Sequence, residues 1–154
     1  MMTDLDDIDR RILKELHRNA RLTQNELSEK VGLSPSPCAR RIKRLETDGY
    51  IEGYSARIAP SRLGFDLEVF TSVRLDRQVD DRLVRFEAEI KRRSEVVDCW
   101  LMTGSFDYLL RIVVRDMREF ETFLTMHLTK IPSVASLETS MPIRRVCDKG
   151  ARLE

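Results

Sequence analysis

The run Thr23-Gln24-Asn25-Glu26-Leu27-Ser28-Glu29-Lys30-Val31-Gly32-Leu33-Ser34-Pro35-Ser36-Pro37-Cys38-Ala39-Arg40-Arg41-Ile42-Lys43-Arg44-Leu45 contains two helix starts and one helix stop. Thr23 and Glu26 stand at capping-box spacing, where the hydroxyl and the carboxylate each accept from an otherwise orphaned backbone amide. This spacing predicts a helix over about 24–31, closed at Gly32 by a left-handed residue. After a turn of a few residues, Ser34-Pro35-Ser36-Pro37 offers a second start. Either serine fits the cap, and either proline fits the first helical position, where its missing amide costs nothing. The following helix runs to about Asp48, with Gly49 as terminator, and turns Cys38, Ile42 and Leu45 inward. Arg40, Arg41, Lys43 and Arg44 cover its remaining surface, and no acid lies within 34–44.

Upstream of this run, Leu5, Ile8, Ile12 and Leu16 recur at helical spacing and predict a first helix. Three short helices with a tight turn before the third form a helix-turn-helix arrangement, in which the later helix enters the major groove of duplex DNA. Arginine offers two parallel donors that match guanine, and any arginine or lysine that misses a base can neutralise phosphate. Serine hydroxyls and free amides at a helix start suit an anion. A basic run by itself is most often a solvated helix face. Its place on the third helix of a compact unit favours double-stranded DNA, with Ser34, Ser36, Arg40, Arg41, Lys43 and Arg44 as the candidate contacts.

Downstream, Tyr50–Ile58 reads as extended chain broken by Gly53, a small hairpin or linker strand, and Ala59–Gly64 reads as a hinge. Residues 1–62 then form the DNA-binding domain with its linker, and 63–154 form a second domain. That domain changes pattern. Alternation marks a strand near Leu67–Leu75; Val96–Met102 and Tyr108–Val114 read as the next two, the latter nearly all apolar except Arg111 and so expected to be central and covered on both faces, with a last strand over Ser136–Val146. Helices follow the Asp80-Asp81 and Asp116-Met117 signals. The order is βαββαβ, so the whole chain is α+β, a helix-turn-helix followed by a ferredoxin-like α/β sandwich. Helices on one side leave the other sheet face bare. Phe70, Trp100, Met102 and the run 108–114 leave little polar surface there, so a homodimer pairing these faces is expected.

Composition narrows the classes. The 154 residues are 42% apolar and 34% charged, enough for a core, without the roughly 20 consecutive apolar residues of a membrane span. No membrane partner is expected. The acidic start MMTDLDDIDRR lacks an export pattern, so a cytoplasmic location is expected. Cys38, Cys99 and Cys147 are too scattered for a disulfide framework or a zinc site, and neither metal nor cofactor is expected. The net charge of +1 favours no partner by itself; 12 bases and 10 acids lie in 1–62, against 15 and 16 beyond.

Two other function classes compete. A ferredoxin-like sandwich can host an enzyme, yet His17 and His127 are the sole histidines and neither belongs to a catalytic motif, so catalysis is not expected. An RNA-binding module shares the βαββαβ order and stacks bases on open-face aromatics, a part that Trp100 and Tyr108 could play.

The residues Ile8-Asp9-Arg10-Arg11-Ile12-Leu13, Glu26-Leu27-Ser28, Val31–Cys38, Arg41–Glu46 and Gly49-Tyr50-Ile51 resemble the leucine-responsive/asparagine regulator (Lrp/AsnC, feast/famine) family of prokaryotic transcription factors. Gly104-Ser105-Phe106-Asp107-Tyr108-Leu109-Leu110 is similar to that family's effector-domain signature, followed by Asp116-Met117 and Ile131-Pro132-Ser133-Val134, where Ser133 replaces a usual glycine. The resemblance implies a winged-type helix-turn-helix joined by a strand to an effector domain. It also implies dimers assembling into octamers or other even oligomers, and control of amino-acid metabolism or transport genes by a small effector, an amino acid, bound between dimers near 104–108. Chemically, amides at Gly104, Ser105 and Phe106 suit an α-carboxylate and Asp107 an α-ammonium. By position in the family, Met102, Thr103, Tyr108, Ser136 and Thr139 would form the side-chain walls. The same glycine and aspartate equally suit a plain hairpin turn, with glycine for backbone freedom and aspartate for a local hydrogen bond.

Overall fold

A computed structural model of the chain describes residues 4–76 and 80–153. The backbone packs into two units, one running to Arg57 and resuming at Cys147, the other being Ile58–Val146. This differs from a single cut after residue 62. The tail is held by Arg57 to Asp148 at 2.5 Å and by His17 Nε2 donating to the Lys149 carbonyl at 2.7 Å. These partners are 91 and 132 residues apart, beyond any local pattern.

In the first unit, α1 (Asp7–Arg18), α2 (Gln24–Val31) and α3 (Pro35–Thr47) follow the expected order. The Thr23 box is present, with Thr23 N–H donating to Glu26 Oε2 at 2.7 Å and Glu26 N–H to Thr23 Oγ1 at 3.3 Å. Gly32 closes α2 at φ 73°, in the region where a Cβ is penalised. A second capping box, Asp6 with Asp9, opens α1. Ile12, Leu27, Val31, Cys38 and Leu45 meet in one core, where each leucine-sized side chain contributes about 1.5–3 kcal/mol of burial. The expected strand or hairpin over Tyr50–Ile58 does not form. Among the described residues these make no sheet ladder, because no second strand edge lies alongside; Tyr54 instead donates to Glu46 at 2.8 Å.

The second unit opens with a 3-10 turn, Pro60–Leu63, and continues β1 (Leu67–Leu75), α4 (Asp80–Lys91), β2 (Val96–Leu101), β3 (Tyr108–Val114), α5 (Met117–Met126), a 3-10 turn Leu128–Lys130, and β4 (Val134–Ser140). The strands form one antiparallel sheet in the order β2-β3-β1-β4, the expected βαββαβ sandwich. The expected helix start around Asp80-Asp81 adjoins residues 77–79, which lie outside the described residues, as does the Asp80 side chain. Strand β4 is placed earlier and ends sooner than Ser136–Val146. It pairs from Val134 opposite Leu75 to Ser140 opposite Phe70, and Pro142 has no amide to extend a ladder. Strand β2 stops at Leu101 because Met102 N–H closes the hairpin on the Asp107 carbonyl at 2.8 Å.

One sheet face carries Val69, Val73, Leu75, Tyr108, Leu110, Ile112 and Val114 against Phe86, Ile90, Phe120, Phe123 and Leu128. The period of two sends Glu68, Phe70, Ser72, Arg74, Leu109, Arg111 and Val113 to the other face. That face is less apolar than expected. Arg111 bonds Asp98 Oδ2 at 2.5 Å and Glu68 Oε1 at 2.9 Å, placing an ion cluster among Phe70, Leu109, Val113 and Trp100. The chain's own helices thus cover β3 on one face, not on both.

Candidate functional site

On α3 a step of 100° per residue aligns Ser36, Arg40, Lys43 and Thr47 opposite the buried Cys38 and Leu45. All four are exposed, and neither Arg40 nor Lys43 forms an ion pair among the described residues. Ser34 is the cap residue, yet its side chain makes no cap bond and stays exposed beside Ser36. Gln24 Nε2 donates to the Pro35 carbonyl at 2.8 Å, tying the start of α2 to the start of α3. The result is one rod with two outward cations and hydroxyls at its positive end, the geometry that meets a phosphate backbone.

Arg41 and Arg44, read from sequence with Arg40 as candidate DNA contacts, are already engaged within the unit. Arg41 Nη1 reaches Asp6 at 2.6 Å and Asp9 at 2.9 Å, and Arg44 bonds the second Asp9 oxygen. The Asp9 side chain is 0% exposed, so its charge must be matched inside the unit. These arginines therefore clamp α3 to the first turn of α1. The Asp6 carboxyl is held below its ordinary value, chiefly by the Asp9 amide and then by Arg41. The bonds to Asp6 and Asp9 raise Arg41 and keep it charged. A signal was present in the sequence: Asp9 shares the α1 stripe of Ile12 and Leu16, and an acid on an apolar stripe demands a partner.

In the second unit the 103–107 loop divides the expected effector residues. Gly104 takes φ 120°, and a Cβ at that position would have nothing within 4 Å, so glycine serves backbone freedom there and not close approach. The amides of Gly104, Ser105 and Phe106 donate to no group among the described residues. Arg74 Nε donates to the Ser105 carbonyl at 2.9 Å and fixes the loop against β1. Ser72, Arg74, Ser105, Phe106, Ser136 and Glu138 line a cleft of about 160 Å³. Its strand residues share the open face by register, since Ser72 pairs with Glu138 and Arg74 with Ser136.

Other expected members turn away from this cleft. Asp107 is buried, and its Oδ2 accepts the Leu75 amide at 2.7 Å, so its carboxylate serves the backbone of β1 in place of a ligand ammonium. Tyr108 belongs to the core, 4.6 Å from Phe86 between ring centroids, with its hydroxyl donating to Glu87 at 2.9 Å. Burial, then the Glu87 carboxylate, raises its phenol well above the ordinary value. Thr139 pairs with the buried Thr71, and so lies on the helix side of the sheet. Met102 and Thr103 are exposed and do not line the cleft. Arg74 and Glu138 were missed in the sequence, where only the strand register shows that they share a face with Ser136. The inward Tyr108 also removes one of the two aromatics that base stacking on the open face would need.

Known proteins share this arrangement. The family model of the Lrp/AsnC ligand binding domain matches residues 68–151, and that of the winged helix-turn-helix DNA-binding domain matches 5–52. The chain is 43% identical over 150 residues to the Bkd operon transcriptional regulator of Pseudomonas aeruginosa, covering 97% of this chain and 98% of that one. To the leucine-responsive regulatory protein of Escherichia coli K12 it is 40% identical over 143 residues, covering 93% and 87%. Among solved structures, a transcriptional regulator of Neisseria meningitidis in complex with L-Met superposes with a TM-score of 0.90 at 36% identity, covering 94% of each chain. An AsnC family regulator of Agrobacterium tumefaciens gives 0.89 at 32%, covering 96% of each. These relatives are regulators and not enzymes. A DNA-binding head on three short helices and a ligand-binding sandwich, each matched in order along one chain, place this protein in the Lrp/AsnC family of transcriptional regulators.

Proposed function

We propose that the chain regulates genes of amino-acid metabolism or transport and that an amino acid, held in the cleft beside the 104–106 loop, controls its DNA binding. One observation carries the effector half: Arg74, Glu138 and the pair Ser105 and Phe106, whose amides have no partner among the described residues, line one cleft, with Gly104 beside it. Arginine and amides match an α-carboxylate, and Glu138 takes the ammonium role first read onto Asp107. Ser136 and Phe106 remain as walls. The small cleft suits the head group common to all amino acids, and the rest of the effector is contributed space by a second copy. On the DNA side, Ser34, Ser36, Arg40 and Lys43 meet the duplex, while Arg41 and Arg44 set the angle of α3.

Self-association belongs to the same proposal. Exposed Trp100 beside Leu109, Phe70 and Val113 supports pairing of open sheet faces into a dimer, and the family resemblance supports higher even assemblies such as an octamer. Sedimentation at the 18.0 kDa of one chain would remove that part. Work in the cytoplasm follows from the same resemblance; among the described residues no helix is long and apolar enough to cross a membrane. The test is calorimetric titration with the common amino acids, paired with mobility shifts on duplexes selected for binding. At least one amino acid should release heat and change the shift, and Arg74→Ala should weaken that binding by about tenfold while ligand-free DNA retention persists. Silence from every amino acid overturns the effector half.

A further inference from the structure

A second and larger cleft, about 810 Å³, lies on the other side of the second unit between α4 and the turn that follows α5. Its volume falls within the roughly 300–1,000 Å³ usual for small-molecule sites. Arg82, Arg85, Arg92, Arg93, His127 and Lys130 contribute to its lining, facing Asp76 and Glu89, the only carboxylates of that lining among the described residues. The helical period explains much of the concentration: Arg82, Arg85 and Glu89 follow one line along α4, and Arg92 and Arg93 come directly after its end. The two acids act as holders. Asp76 pairs with Arg82, and Glu89 with Arg92 at 3.3 Å and Arg93 at 3.7 Å, which fixes three guanidiniums toward the cleft. Arg85 and Lys130 are exposed and form no ion pair among the described residues.

Packing several like charges around one concavity is costly unless an anion enters, and guanidinium forks match phosphate oxygens bidentately. Between the cations lies a carbon surface of Ala88, Met126, Ile131 and Pro132. A bare inorganic anion would leave that surface unused, whereas a nucleoside would cover it. A DNA duplex is convex and reads outward ridges such as the Ser36–Arg40–Lys43 line, so a cavity sunk between two elements suits a compact ligand better. We infer that the α4 groove binds a small nucleoside polyphosphate, its phosphates on Arg82, Arg85, Arg92 and Lys130 and its nucleoside on the Met126–Pro132 surface.

The test is titration of the full chain, at physiological salt and without divalent cations, with ATP and with inorganic tripolyphosphate. ATP should bind the more tightly of the two, and the double variant Arg85→Gln/Lys130→Gln should weaken both by about tenfold or more. The variant should keep the wild-type melting temperature, since both side chains are at the surface, and its unliganded DNA retention. No heat from either probe overturns the proposal. So does binding that the variant leaves unchanged, or tripolyphosphate binding as tightly as ATP. If unrelated duplex DNA loses affinity in the variant and ATP fails to compete with it, the groove is a DNA-backbone surface, and the proposal falls in that case too.

Discussion

Both units bury an aspartate near the place where function begins, Asp9 in the helical unit and Asp107 in the sheet unit, and the two hold different parts of the backbone in place. Asp9 is met by two guanidiniums from a helix more than thirty residues away. Asp107 is met by a backbone amide of the neighbouring strand, at Leu75. The first arrangement couples charge to the docking of an entire recognition helix. The second is a turn device that fixes where β1 and the loop before β3 meet. A carboxylate in a functional motif can thus support its neighbours without touching DNA or ligand.

The contrast is broken most directly by removing the carboxylates in turn. Asp9→Ala leaves two guanidiniums without their shared partner and should cost about 3 kcal/mol, the lower end for breaking a buried pair because Arg41 and Arg44 keep some solvent. Thermal melting should show it, and DNA retention should fall with the fold. Asp107→Ala strands at least the buried Leu75 amide and should cost about 2 kcal/mol or more, with the melting loss confined to the sheet unit and DNA retention largely preserved. If the two losses come out equal and both abolish DNA binding, the distinction between clamp and turn device is lost.

Arg40→Ala and Lys43→Ala sharpen the comparison from outside, because neither side chain touches a carboxylate clamp. Each should leave the melting temperature in place and lower the salt dependence of DNA affinity by about one counterion. A fall in stability with no change in the salt slope would return Arg40 to the structural class of Arg41. The smallest effect concerns pH. The Asp6 carboxyl lies below its ordinary value of 3.8 in the folded chain, so its contribution is complete above that value and fades as acid titrates it through the lower folded value. Acid melting of Asp6→Asn should therefore converge with wild type at the acidic end and differ modestly near neutrality.

Most of the fold was legible where chemistry is local. Thr23 with Glu26 and then Gly32 fixed α2 to the residue, and apolar patterning found the first three strands, with the fourth placed a little too far along the chain. What escaped depends on which distant elements meet. Arg41 and Arg44 looked free because nothing near them in the chain is acidic, although Asp9 on the apolar stripe of α1 was a usable clue. Tyr108 was also decidable. Arg111 marks the odd-numbered side of β3 as the polar one, which sends Tyr108, Leu110, Ile112 and Val114 inward together. Arg74 and Glu138 were not decidable, since their meeting depends on β1 pairing with β4 through an irregular register between Arg74 and Leu75.

The returning tail has a practical side. Because Lys149 docks on His17 and Asp148 on Arg57, the DNA-reading head is assembled from two stretches of chain separated by the whole sheet unit. Cutting the chain before Cys147 disturbs the reader before the sensor. Conversely, an isolated head cut off after the linker lacks one of its own pieces.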